Sequence, residues 1–140
     1  MSLSALAVLA CDAGKAVQDG SATNADREGP VLSTKEIMTR AHKGEQSLVS
    51  RLNADLQKPQ PDWPKDEEYL AEMIRLVSRL TTQKPPHGSQ EAWNTRVHDY
   101  VDNAKDIQQD LKEQNVQAAR ASVGKLLKTC KGCHDAHNPH

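Results

Sequence analysis

The sequence predicts an all-α protein, an antiparallel up-down-up-down four-helix bundle. Three observations lead there. Apolar residues recur at steps of three and four along four separate stretches, the repeat of one helix face. No stretch alternates with the two-residue period of a strand. The segments between the periodic stretches are short and rich in Pro, Gly and Asn, so helices adjacent in sequence should be antiparallel neighbours. At 140 residues the chain suits one domain with a single core.

Residues 1–32 read as separate from that domain, which is placed at 33–140. The opening "LSALAVLAC" is too short an apolar run to span a bilayer but suits the core of an export signal. Its end, "VLAC", resembles a bacterial lipoprotein signal, which implies cleavage before Cys11 and a lipid anchor on that residue. No Lys or Arg precedes the run, a departure from that pattern. "DAGKAVQDGSATNADREGP" follows with hardly a large side chain and no repeating face. Such a segment cannot offset its ordering entropy by burial, so a flexible tether is expected.

Order is expected to start at "STKE", where Ser33 and Glu36 have the spacing of a capping box. Ile37, Met38, Ala41, Leu48, Val49, Leu52 and Leu56 then mark one face of a first helix. Prolines 59, 61 and 64 stop it and open a second helix, with Tyr69, Leu70, Met73, Ile74, Leu76, Val77 and Leu80 as its stripe. "TTQKPPHGS" breaks the pattern. Ser89 caps a third helix striped by Trp93, Val97, Tyr100, Ala104, Ile107 and Leu111. Asn115 caps the fourth, which buries Val116, Ala119, Val123, Leu126 or Leu127, and Cys130.

Composition narrows the function. Eighteen basic and nineteen acidic residues give a net charge of −1. Nucleic acid is therefore not the expected partner, since phosphate binding needs a positive field. Two Trp, two Tyr and no Phe make a thin core for four helices, and a large apolar cofactor would fill it. Three cysteines, Cys11, Cys130 and Cys133, cannot form a fully paired disulfide framework.

The chemistry lies in the last helix, at "TCKGCHDAHNPH". Cys130-x-x-Cys133-His134 is the attachment signature of c-type haem, in which two thiols bond the porphyrin and the histidine binds iron. Positions 130, 133 and 134 lie on one helical face, so the porphyrin edge can be stitched while His134 points at the metal. A zinc site drawn from Cys130, Cys133, His134 and His137 is disfavoured. Those residues span roughly 10 Å of helix at about 1.5 Å per residue, whereas zinc needs its ligands around one point. A thioredoxin-like pair normally follows a strand, and none precedes this one. A helical interaction protein with an incidental motif is the remaining rival.

"SVGKLLKTCKGCHDAH" at the end of a four-helix chain resembles the class II c-type cytochromes, the cytochrome c-prime family. "IMTRAHKGEQSL" and "QKPPHGS" are also similar to segments of small c-type cytochromes. The resemblance covers about residues 33–140. It implies one covalently attached haem c on the C-terminal helix, held by Cys130 and Cys133 with His134 on the iron. In that family the first helix faces the haem with an Arg and, four residues later, a hydrophobic residue or Met. Here those positions match Met38 and His42. A ligand there implies electron transfer, whereas a hydrophobic residue implies a five-coordinate iron that binds nitric oxide or carbon monoxide.

His42 is the leading candidate for the sixth ligand, with Met38, Cys11 and an empty site as the alternatives. His137 and His140 are expected to face solvent. Arg40 and Lys43 are candidates for pairing with haem propionates. Lys125, Lys128 and Lys131 make either a docking face for an acidic redox partner or a solvated surface. The expectation is thus a periplasmic or otherwise exported monohaem cytochrome that carries electrons to redox partner proteins and is not an enzyme. Gas binding is the alternative, and a homodimer is left open.

Overall fold

Every helix begins at a side chain that accepts a hydrogen bond from the free amides of its first turn. In the computed structural model, which describes residues 31–138, Ser33 caps α1 (Thr34–His42) and Ser47 caps α2 (Leu48–Leu56). Asp62 caps α3 (Trp63–Ser78), which runs into a 3₁₀ turn at Arg79–Thr82. Ser89 caps α4 (Gln90–Lys112) and Asn115 caps α5 (Val116–His137). The expected capping box is present in full: the Ser33 amide donates to Glu36 at 2.8 Å, and the Glu36 amide donates to the Ser33 hydroxyl at 3.3 Å. The chain is all-helical, with no strand among the described residues. No helix among them is long and apolar enough to cross a membrane.

The single first helix expected from the sequence is two helices. α1 stops at Lys43, whose backbone turns extended (φ −96°, ψ 119°), and Gly44 follows at φ +85°. A left-handed residue there is cheap only for glycine. The Ser47 amide closes the turn on the Gly44 carbonyl at 3.1 Å, and the Ser47 side chain then starts α2. Periodicity did not reveal the break because Ala41 and Leu48 stand seven apart, two helical turns, so the stripe stays in phase across it.

α4 packs against α5 and α3, α2 against α3 and α5, and α1 against α2 and α3. The third predicted stripe is buried at all six positions, from Trp93 to Leu111. On α5 the core takes Leu126, while Leu127 is 44% exposed. Trp93 meets its polar requirement inside the core, where its indole N–H donates to the Leu80 carbonyl at 2.6 Å. The core begins at Leu32, which the sequence had assigned to the tether. It is buried, and its carbonyl accepts from the Gln83 side chain at 3.1 Å. Val31 is exposed, as a tether residue would be, and the expectations for Cys11, for the rest of residues 1–30 and for His140 lie outside the described residues.

Two carboxyls are buried where α2 meets α3. Asp55 accepts from the Asp62 amide at 2.6 Å and pairs with Lys58. Asp66 is fully buried, and neither of its oxygens has a donor. Burial, then the charge of Asp55, pushes the Asp66 carboxyl up to about 7.

Candidate functional site

A cavity of about 440 Å³, mostly apolar, opens between α1, α4 and α5. Its size is that of a small-molecule or cofactor site. α5 supplies Cys130, Cys133, His134 and His137, and α1 supplies Met38, His42 and Lys43. α4 closes the side with Trp93, Val97 and Tyr100, and Arg96 stands at the rim. Residues more than eighty positions apart are therefore gathered by the packing alone.

The break after His42 puts this residue at the C-terminal end of α1, with its ring against the Tyr100 ring edge-on at 5.3 Å between centroids. A helix C-terminus favours a protonated imidazole, but desolvation is larger. Burial, with a smaller contribution from the charge of His134, lowers the His42 pKa to about 4. The ring is neutral at neutral pH, and its Nδ1 is buried with no hydrogen-bond partner. Met38, one turn earlier, is half-buried and lines the same cavity.

Cys130 and Cys133 are both free and half-buried. Burial raises both thiols above their ordinary range, and Arg96 partly offsets this at Cys133. They are accordingly protonated and weakly nucleophilic in this fold. His134 is exposed at the cavity edge. The Tyr100 hydroxyl is buried without a partner, and burial, with the nearby Cys130 sulfur, lifts the phenol far above its usual range. It is a donor with nothing to donate to.

His137 corrects an expectation. It was placed in solvent, yet it is 2% exposed. Its Nδ1 lies 2.8 Å from the His87 carbonyl, its ring meets Trp93 edge-on at 5.2 Å, and its Nε2 has no partner. The sequence did carry the signal. Ala119, Val123, Leu126, Cys130, Cys133 and His137 step by four, three, four, three and four, so His137 continues the buried stripe while His134 stands one residue off it.

Of the cations singled out, Lys43 reaches the cavity and Arg40 does not, whereas Lys35 and Arg96 reach it unforeseen. Lys125 pairs with Asp106 at 2.9 Å and Lys131 with Asp135, leaving Lys128 exposed between them. Among the described residues no group of three or more His, Cys, Asp or Glu is gathered to hold a metal ion by itself. No family model, curated protein or solved structure matches the chain.

Proposed function

We propose that the chain is an exported monohaem c-type cytochrome that carries single electrons. Cys130 and Cys133 would hold the haem by thioether bonds, and His134 would ligate its iron. One observation carries the reading: Cys130, Cys133, His134 and His42 line one apolar cavity, and three of its lining residues, His42, Tyr100 and His137, each carry a buried polar atom without a partner. Buried polar groups are almost always satisfied, so three orphans on residues lining one cavity call for a ligand. The donor set fits haem, with two soft sulfurs and a histidine on one helix and a second imidazole across from them.

When bound, haem supplies an iron that alternates between two oxidation states, and the chain's residues attach, orient and shield it. Trp93, Val97 and Val77 give the cavity its apolar walls, which keep water from the centre. His42 is the proposed sixth ligand, because its neutral ring keeps a lone pair available at any pH above about 4. Met38 is the alternative from the same helix. Lys43, Lys35 and Arg96 at the rim suit the carboxylates of the porphyrin edge.

The finer architecture belongs to the same reading. α1 and α2 together take the place of the first helix in an antiparallel four-helix bundle, and α5 carries the haem. Export with a lipid anchor at Cys11, in or beyond the periplasm, fits a carrier that meets redox partner proteins, with self-association as a homodimer left open. The gas-binding alternative draws its support from Tyr100, whose unpartnered hydroxyl beside His42 could donate to a diatomic ligand if His42 left the iron.

The test is the absorption spectrum and haem extraction of the matured protein. A Soret band that survives acidified organic solvent, and becomes extractable when Cys130 and Cys133 are both changed to Ala, is expected. No Soret band, or haem extracted from the unchanged protein, defeats the assignment.

A further inference from the structure

We infer that His137 is the hydrogen-bond acceptor of His134, a positioning residue that sets how strongly that imidazole donates to the iron. The inference rests on the haem reading above. It starts from the tautomer of His137. A carbonyl oxygen can only accept, so the Nδ1 that lies 2.8 Å from the His87 carbonyl carries the proton. In the neutral ring, Nε2 is then a bare acceptor, and it is buried and unpartnered on a residue that, like His134, lines the cavity.

The arrangement is built rather than accidental. Gly88, at φ +81°, leaves the space that the ring occupies, since a Cβ there would lie 3.2 Å from His137 Nδ1 and 3.3 Å from Cε1. Trp93 holds the ring edge-on from the other side. The helix stays closed through this turn, where the Asn138 amide bonds the His134 carbonyl at 2.8 Å. His134 and His137 thus stand three residues apart on neighbouring rows of one helix, about 4.5 Å apart along its axis.

A histidine bound to iron through Nε2 needs an acceptor for its Nδ1–H, and such partners fix ring orientation and raise ligand basicity. The nearest carboxylate on the helix, Asp135, is taken by Lys131. His137 Nε2 supplies the missing acceptor. Its own Nδ1–H is relayed to the His87 carbonyl, so a chain of two hydrogen bonds links the iron ligand to the turn before α4. A more basic His134 favours oxidised iron, so this chain lowers the reduction potential.

The test uses the haem-loaded protein. His137→Phe should raise the midpoint potential and, in a His42→Ala background that leaves the ferrous iron five-coordinate, lower the iron–histidine stretching frequency, while His137→Gln, whose amide oxygen can accept, should restore part of both. A tenfold loss of preference for oxidised iron corresponds to about 59 mV for one electron. The unmodified protein gives a check that needs no variant. In the ferrous, carbon monoxide-saturated state, nitrogen-15 spectra should show a coupling across the hydrogen bond from His134 Nδ1 to His137 Nε2. If haem is covalently bound but that coupling is absent, or the Phe variant leaves potential and stretching frequency unchanged, the inference falls and the cytochrome reading stands. If no haem is bound, both fall together.

Discussion

Replacing Asp66 by Asn should remove one contribution to stability that declines as pH rises between about 4 and 7. Asp66 is fully buried beside Asp55, its carboxyl lifted from the ordinary 3.8 to about 7 by burial first and by Asp55 second. The folded protein therefore binds a proton on Asp66 that the unfolded chain has already released in that window. The stability that Asp66 contributes is fully present below about 4, declines as pH rises, and levels off once pH passes the folded value near 7. Asp55 works oppositely: Lys58 and the Asp62 amide, set against its own desolvation, leave its carboxyl below the ordinary value. Its contribution is present above 3.8 and is lost as pH falls through that lowered value. His42, lowered from 6.5 to about 4 by burial, contributes stability that grows as pH rises between those values. It therefore opposes Asp66, and the comparison of variant with parent isolates the Asp66 contribution.

The magnitude follows from the gap between 3.8 and about 7. At ~1.4 kcal/mol per pH unit it comes to roughly 4 kcal/mol, with a slope no steeper than ~1.4 kcal/mol per pH unit. Asn cannot ionise, and its amide can donate to Asp55 in place of the proton. Urea unfolding of both proteins, followed by circular dichroism at about pH 4.5, 6 and 8, gives the free energies. The variant should match the parent near pH 4.5 and exceed it by up to roughly 4 kcal/mol at pH 8, with an unchanged denaturant slope. Parallel losses of stability in the two proteins between pH 5 and 8 would refute the reasoning, as would a variant weaker at pH 8.

Three further expectations follow from single residues. On the proposed haem reading, His42→Ala should open the iron, giving a high-spin ferrous spectrum and rapid carbon monoxide uptake, whereas Met38→Ala should leave the spin state alone; the reverse result transfers the ligand role to Met38. Gly44→Ala should cost ~1–2 kcal/mol in chemical denaturation, since nothing lies within 4 Å of the added carbon and only the left-handed backbone is strained; a neutral effect would show that the turn relaxes. Trp93→Phe leaves the Leu80 carbonyl without its donor, so a loss of about 1–3 kcal/mol is expected, and a loss well under 1 kcal/mol would mean that water replaces the indole.

What could be read from the sequence alone was local. Ser33, Ser89 and Asn115 start helices because each has a short side chain able to reach an amide two or three residues ahead, a property of adjacent residues. The α4 stripe and the spacing of Cys130, Cys133 and His134 are likewise set within a few turns. The break at Lys43–Ser47 was within reach through Gly44, but the hydrophobic repeat runs in phase across it, and a glycine inside a helical pattern signals a turn only weakly.

The depths of single polar residues depended on the tertiary structure. His137 is buried because the turn at His87 and Gly88, about fifty residues earlier, closes over it and offers a carbonyl. His42 is neutral because α4 lays Tyr100 against it and α5 brings His134 into its field. Asp66 holds its proton because the packing of α3 on α2 buries it and, secondly, places the Asp55 carboxylate beside it. Desolvation and charge depend on whatever lies within a few ångströms in space, and for these three residues that neighbourhood is assembled by the packing of different helices and turns.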